Sequence, residues 1–97
     1  MYSDFRTYNL AKDLYQDIRK IKLPSEQKNQ ILRSSLSVIL NLAEGSAKRS
    51  KKDQKRFFEI ALASLRESQA ILDINNYSSL IKKADILGAH LYKLLMA

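Results

Sequence analysis

Six of the nine residues from 48 to 56 are basic: Lys48, Arg49, Lys51, Lys52, Lys55 and Arg56, with Asp53 as the one acid among them. Cationic side chains at this density do one kind of chemistry. They neutralise a polyanion, above all the phosphates of a nucleic acid, and release its condensed counterions. The rest of the 97-residue chain does not share the excess. Residues 1–47 hold seven basic and five acidic groups, residues 57–97 hold four of each, and the nine between supply +5 of a formal net charge of +7. Charge this focused points to a polyanionic partner more than to general solubility. The plain alternative is a solvated loop and helix end.

Few other groups suit a reaction. There is no cysteine, so a disulfide, a thiolate metal site and a thiol nucleophile are all excluded. The single histidine, His90, lies beside Leu91 with no partner visible in the sequence, and reads as a boundary residue. Gly45 and Gly88 are too far apart to build a phosphate-cradling loop. Glu44, Glu59 and Glu67 stand outside any Glu-x-x-His motif of a carboxylate-bridged metal bundle. The expectation is a protein that is not an enzyme, with no cofactor and no metal. The aromatic set Tyr2, Phe5, Tyr8, Tyr15, Phe57, Phe58, Tyr77 and Tyr92 offers base-stacking platforms. Four of them, Tyr8, Tyr15, Phe57 and Phe58, fall on helical apolar stripes, which favours core packing. No apolar run is long enough to span a membrane, and Met1 to Asp4 lack the basic head and apolar stretch of a signal peptide. A cytoplasmic protein with no membrane role is expected.

The elements that must position the basic run are helices. One proline and two glycines leave few turns. Tyr8, Ala11, Leu14, Tyr15, Ile18 and Ile21 recur at three- and four-residue steps, which predicts a helix over about 4–22. Asp4 or Thr7 can cap it. Pro24 separates a second helix over about 25–45, capped by Ser25 and closed by Gly45 as a left-handed C-cap. Ser50-Lys51-Lys52-Asp53 resembles a capping box and opens a third helix over about 51–75, with Phe57, Phe58, Ala61, Leu65, Ser68 and Leu72 on one face. Asn75-Asn76 closes it, and Ser78 or Ser79 opens a fourth over about 79–96. There Leu80, Ala84, Leu87, Leu91 and Leu94 are spaced 4-3-4-3, a bundle seam. The 97 residues form a single domain, all-α, and the short connections predict an antiparallel up-down four-helix bundle.

Helix two is apolar over two adjoining arcs. Leu32, Leu36, Ile39, Leu40 and Ala43 cover one, and Ile31, Ser35, Val38 and Leu42 the other. Together they exceed the stripe of roughly 100° usual on a surface helix. Part of this helix is therefore expected to be covered by another subunit, with Ile31, Val38 and Leu42 at the contact. The alternative is a helix sunk deep in its own bundle. Ser34, Ser35 and Ser37 provide small side chains for close approach. Pivoting helices two and three about residue 48 sets those serines against Glu59 to Leu62.

The stretch from Ile31 to Gly45 resembles the helix-two signature of the four-helix-bundle proteins encoded within 23S rRNA intervening sequences. That pattern reads Arg, two small residues, Ser-Ile, then Asn-Ile-Ala-Glu-Gly. Arg33, Ser37, Asn41, Ala43, Glu44 and Gly45 match, with Leu42 in place of isoleucine. Lys52-Asp53, Phe57-Phe58, Ile60-Ala61, Ser64-Leu65 and Glu67 continue the match through helix three, and Ala11, Leu14 and Pro24 fit helix one. Ala63 replaces the family's glycine before the third-helix serine, and helix four is expected to be shorter than the family norm.

The resemblance implies a cyclic homo-oligomer, usually a pentamer, that binds and has no catalytic residues. The chain is similar, too, to the basic pentameric accessory protein of diversity-generating retroelements, which binds nucleic acid and a reverse transcriptase. Asn41 and Glu44 share a helix face and are expected to bond helix three or a neighbouring subunit, with direct ligand contact as the alternative. Glu44 can also meet the positive start of helix three near Lys51 and Lys52. The sequence thus points to electrostatic binding of nucleic acid, RNA ahead of DNA, through the basic run. The alternative is a protein-binding scaffold.

Overall fold

A computed structural model of the chain describes residues 5–97, so Tyr2 and the candidate cap Asp4 lie outside the described residues. Four helices follow one another: α1 (Phe5–Lys20), α2 (Ser25–Ser46), α3 (Lys51–Ile74) and α4 (Ser78–Met96). No strand occurs among the described residues. Helix α2 packs on α1 and α3, and α4 packs on α3 and α1, which encloses one core. The apolar steps read from the sequence supply that core: Ala11, Leu14 and Ile18 from α1, Phe58, Ala61, Leu65 and Leu72 from α3, and Leu80, Ala84, Leu87 and Leu91 from α4. Each fully buried leucine or isoleucine contributes roughly 1.5–3 kcal/mol of transfer free energy.

From α2 the core takes Ile31, Val38, Ile39 and Leu42. This corrects the assignment of Ile31, Val38 and Leu42 to a contact between subunits. All three are at most 2% exposed within the single chain, so no surface of theirs is left for a second copy. The helix is sunk deep in its own bundle. What stays open on α2 is the far edge of the other arc, Leu36 and Leu40, with Ile60 of α3 also exposed.

The α2–α3 seam is polar as well as tight. Ser34 Oγ and Ser68 Oγ are hydrogen-bonded at 2.7 Å, and Ser37 Oγ and Ser64 Oγ at 2.8 Å. The helix-two serines therefore meet α3 serines, and the expected pairing with Glu59 to Leu62 is corrected. Halving the connection between the helices ignores stagger. Here α3 is displaced so that Phe58 stands against Gly45. Residues 51–56 then extend beyond α2's last turn, by about 9 Å at 1.5 Å per residue.

Gly45 is not the left-handed cap the sequence suggests. Helix α2 continues through Ser46, its C-cap Ala47 is right-handed at φ −82°, and no glycine has positive φ. The glycine is required by close approach instead. A Cβ there would lie 2.6 Å from Phe58 Cε1 and 3.2 Å from Phe57 Cβ.

The remaining ends have definite causes. Ser50 caps α3, its Oγ accepting from Asp53 N at 3.1 Å. Ser25 and Ser78 are the first residues of their helices, not their caps, which are Pro24 and Tyr77 and make no side-chain capping bond. Thr7 lies inside α1 and is buried. Asn75 caps α3, and Asn76 turns the chain at φ 60°, a conformation asparagine tolerates better than most residues. Lys28 Nζ donates to the carbonyls of Arg19, at 3.0 Å, and Ile21, satisfying the exposed end of α1. Tyr77 Oη donates to Lys22 O at 2.7 Å and ties the α3–α4 turn to the α1–α2 connection. Lys83 of α4 pairs with both Asp13, at 2.9 Å, and Asp17 of α1. The hydrogen bond to Asp17, then that to Asp13, raises the lysine above its ordinary 10.5.

Candidate functional site

The basic run occupies the α2–α3 turn and the overhanging start of α3. Arg49, Lys51, Lys52, Lys55 and Arg56 are exposed, and none of them meets a carboxylate at ion-pair distance among the described residues. The Ser50 cap fixes the first turn that carries them. Gln54 Nε2 donates to Lys48 O at 3.1 Å, which folds the turn back on the helix it starts. The first amides of α3 are unpaired within the helix, and their partial positive charge adds to that of the side chains. Lys51 and Lys55 also line a shallow pocket with Gln54, Phe58, Leu94 and Ala97, where the start of α3 meets the end of α4.

Lys48 differs from the other five. Its Nζ sits 3.2 Å from Glu44 Oε2 and 5.1 Å from the centroid of Phe57. The Arg56 guanidinium carbon lies 5.7 Å from the same centroid. One half-buried ring thus carries two cations, one from the turn and one from α3. Assigning Phe57 to the apolar stripe of α3 overlooks this. The visible signal is its position directly after Arg56 and opposite the turn that holds Lys48.

The motif residues of α2 divide by direction. Ser37 and Asn41 face α3: Asn41 Nδ2 donates to Ser37 O at 2.9 Å and Ser37 Oγ at 3.1 Å, and Ser37 reaches Ser64. Asn41 therefore acts on α3 through Ser37. Glu44 is exposed and pairs with Lys48 rather than with Lys51 or Lys52. Gly45 receives Phe58. Arg33 is exposed, and Glu67 accepts from Gln30 Nε2 at 3.1 Å across the α2–α3 seam. His90 is partly buried with no hydrogen-bond partner at Nε2 among the described residues. No group of three or more His, Cys, Asp or Glu among them is arranged to hold a metal ion. No helix among them is long and apolar enough to cross a membrane.

The chain is a four-helix bundle with a cationic α2–α3 connection at one end and a glycine that admits Phe57 and Phe58 close to it. The model of one family, described as 23S rRNA-intervening sequence protein, matches residues 3–93. The chain belongs to that family. No curated protein and no solved structure matches it.

Proposed function

We propose that this protein is a non-enzymatic, intracellular binding protein that engages nucleic acid, RNA ahead of DNA, through Lys48, Arg49, Lys51, Lys52, Lys55 and Arg56. The observation that carries the reading is exposure without compensation. Five of the six cations stand in solvent on the α2–α3 turn and the first two turns of α3, free of carboxylate partners among the described residues. Contact of this kind reads the phosphate backbone and selects weakly among sequences.

The proposal includes an antiparallel up-down bundle that assembles as a cyclic homo-oligomer, a pentamer on the family resemblance. Pairing of Ser34 with Ser68, Ser37 with Ser64 and Gly45 with Phe58 supports the antiparallel course. The exposed apolar residues Leu36, Leu40 and Ile60 support a contact between copies. A ring would repeat the basic turn and raise avidity on one long ligand. The same apolar residues favour the second reading, a scaffold for a protein partner such as a reverse transcriptase.

Fluorescence anisotropy with a structured RNA across a salt series tests the first reading. Z phosphate contacts give a log–log slope of about −0.7Z to −0.9Z. A steep slope that collapses when all six basic residues become alanine is the expected result. Absence of wild-type binding at low salt overturns it and leaves the scaffold.

A further inference from the structure

Phe57 carries two cations while its backbone is pinned by the packing beneath it, and this combination says how the proposed interface meets its ligand. Lys48 Nζ and the Arg56 guanidinium lie 5.1 and 5.7 Å from one ring centroid. Two like charges held on one ring repel each other. The negative face of the ring offsets that cost, and Glu44, 3.2 Å from Lys48, offsets it further. The backbone that carries the ring has little freedom. Phe57 Cβ and the Phe58 ring both crowd the position where Gly45 lacks a side chain, so α3 is held against the last turn of α2 at this level. Lysine and arginine side chains lose rotamer entropy when a ligand fixes them. Here part of that ordering is present before any ligand arrives.

The geometry points to Phe57 as the positioning residue of the nucleic-acid interface: it presets Lys48 and Arg56 as a cation pair for phosphates of the ligand backbone and is not itself a stacking platform for bases. This inference rests on the nucleic-acid reading and deepens it. A ring whose faces are open stacks on bases, and such stacking favours single strands. A ring already engaged by two cations leaves phosphate as the group to be met. Binding is then indifferent to base identity and is set by backbone charge.

The test compares Phe57→Leu, Phe57→Met and Phe57→Trp with the wild-type chain. All four carry the same net charge. Thermal melts followed by circular dichroism establish that each variant is folded, and Met serves if Leu does not fold. Without ligand, the Lys48 side-chain methylene resonances should be shifted upfield by the ring current, retained in Phe57→Trp and lost in Phe57→Leu. Wild-type resonances at ordinary lysine positions overturn the inference whether or not the protein binds RNA.

With a structured RNA, Phe57→Leu should bind about five- to tenfold more weakly, the effect expected when two cationic side chains must be partly ordered by the ligand instead of by the ring. Its log–log salt slope should be shallower by about 1.5, as two phosphate contacts loosen. Phe57→Trp should restore both. Equal loss in the Trp and Leu variants assigns Phe57 to packing alone and overturns the inference, as does wild-type affinity in Phe57→Leu. Failure of the wild-type chain to bind any RNA overturns the functional reading, and this inference falls with it.

Discussion

The Phe58 ring lies in the space that Gly45 leaves empty: a Cβ on residue 45 would stand 2.6 Å from Cε1 and 2.9 Å from Cδ1 of that ring. Two effects compete in Gly45→Ala. Alanine gains about 1 kcal/mol in helix propensity. Overpacking against a ring only 3% exposed costs about 1–3 kcal/mol, because the ring has nowhere to swing. The clash should prevail. Gly45→Ala is expected to lower stability by about 1 kcal/mol, a Tm decrease of roughly 4–8 °C for a domain of this size. A variant that melts above the wild type would show that the helices separate easily at this level.

The Ser34–Ser68 hydrogen bond should couple the two residues energetically. At 2.7 Å one hydroxyl donates across the seam, leaving the other to donate to a carbonyl in its own helix, Ile31 O or Ser64 O. Each serine-to-alanine change is expected to cost about 1 kcal/mol, and the double change less than the sum by about 0.5–1.5 kcal/mol. Denaturant melts of the four proteins in the cycle measure this. Strict additivity would mean that the hydroxyls act independently.

Lys83 makes the α1–α4 contact sensitive to alkaline pH. Its pKa is raised by the Asp17 and Asp13 carboxylates, so the folded state binds this proton more tightly than the unfolded chain. The stabilisation is complete below the ordinary lysine value of 10.5 and is lost as pH rises through the elevated folded value. The lysine side chain is 44% exposed, so the effect is modest. From neutral pH up to this region the denaturant midpoint of the wild type should exceed that of Lys83→Met by a constant amount, and it should converge on it above. Lys83→Arg, which keeps its charge, should hold its advantage further. A gap that persists undiminished at high pH would assign the role of Lys83 to its packed stem.

Glu44 is a counterweight to the proposed interface. It neutralises Lys48 in the free protein and would repel an approaching phosphate. Glu44→Gln is therefore expected to bind RNA about two- to fivefold more tightly, in keeping with the small worth of an exposed ion pair. Anisotropy titration at fixed salt checks this. Unchanged or weaker binding would place Glu44 outside the binding surface.

Much of the bundle can be read directly from residue spacing, because a helix that buries one face must repeat it every three to four residues. Leu80, Ala84, Leu87 and Leu91 are apolar at that step and buried. Asn75-Asn76 ends α3 by local turn chemistry alone. The exposure of Arg49, Lys51, Lys52, Lys55 and Arg56 follows from the cost of burying charge. The misreadings occur where the cause is tertiary. Gly45 looks like a helix end, whereas Phe58, thirteen positions further on, is what excludes a side chain there. The wheel of α2 shows two apolar arcs, yet nothing local says that Ile31, Val38 and Leu42 face inward while Leu36 and Leu40 stay open. The helix-two serines have partners spaced four apart, Ser64 and Ser68, and matching like with like would have found the stagger that loop length concealed.

The serine pairs also act as a ruler. Sliding α3 along α2 by one four-residue step moves every side chain on it by about 6 Å, more than half of the overhang that lifts the basic turn clear of α2. Such a slip would break two hydroxyl contacts, one of them buried, and drive Phe58 past its niche, so only one setting satisfies the seam. The distance by which the cations stand beyond the last turn of α2 is thus encoded in residues that carry no charge. A substitution at buried Ser68 that shifts this setting should register in nucleic-acid affinity, even though the side chain lies far along α3 from every cation of the turn.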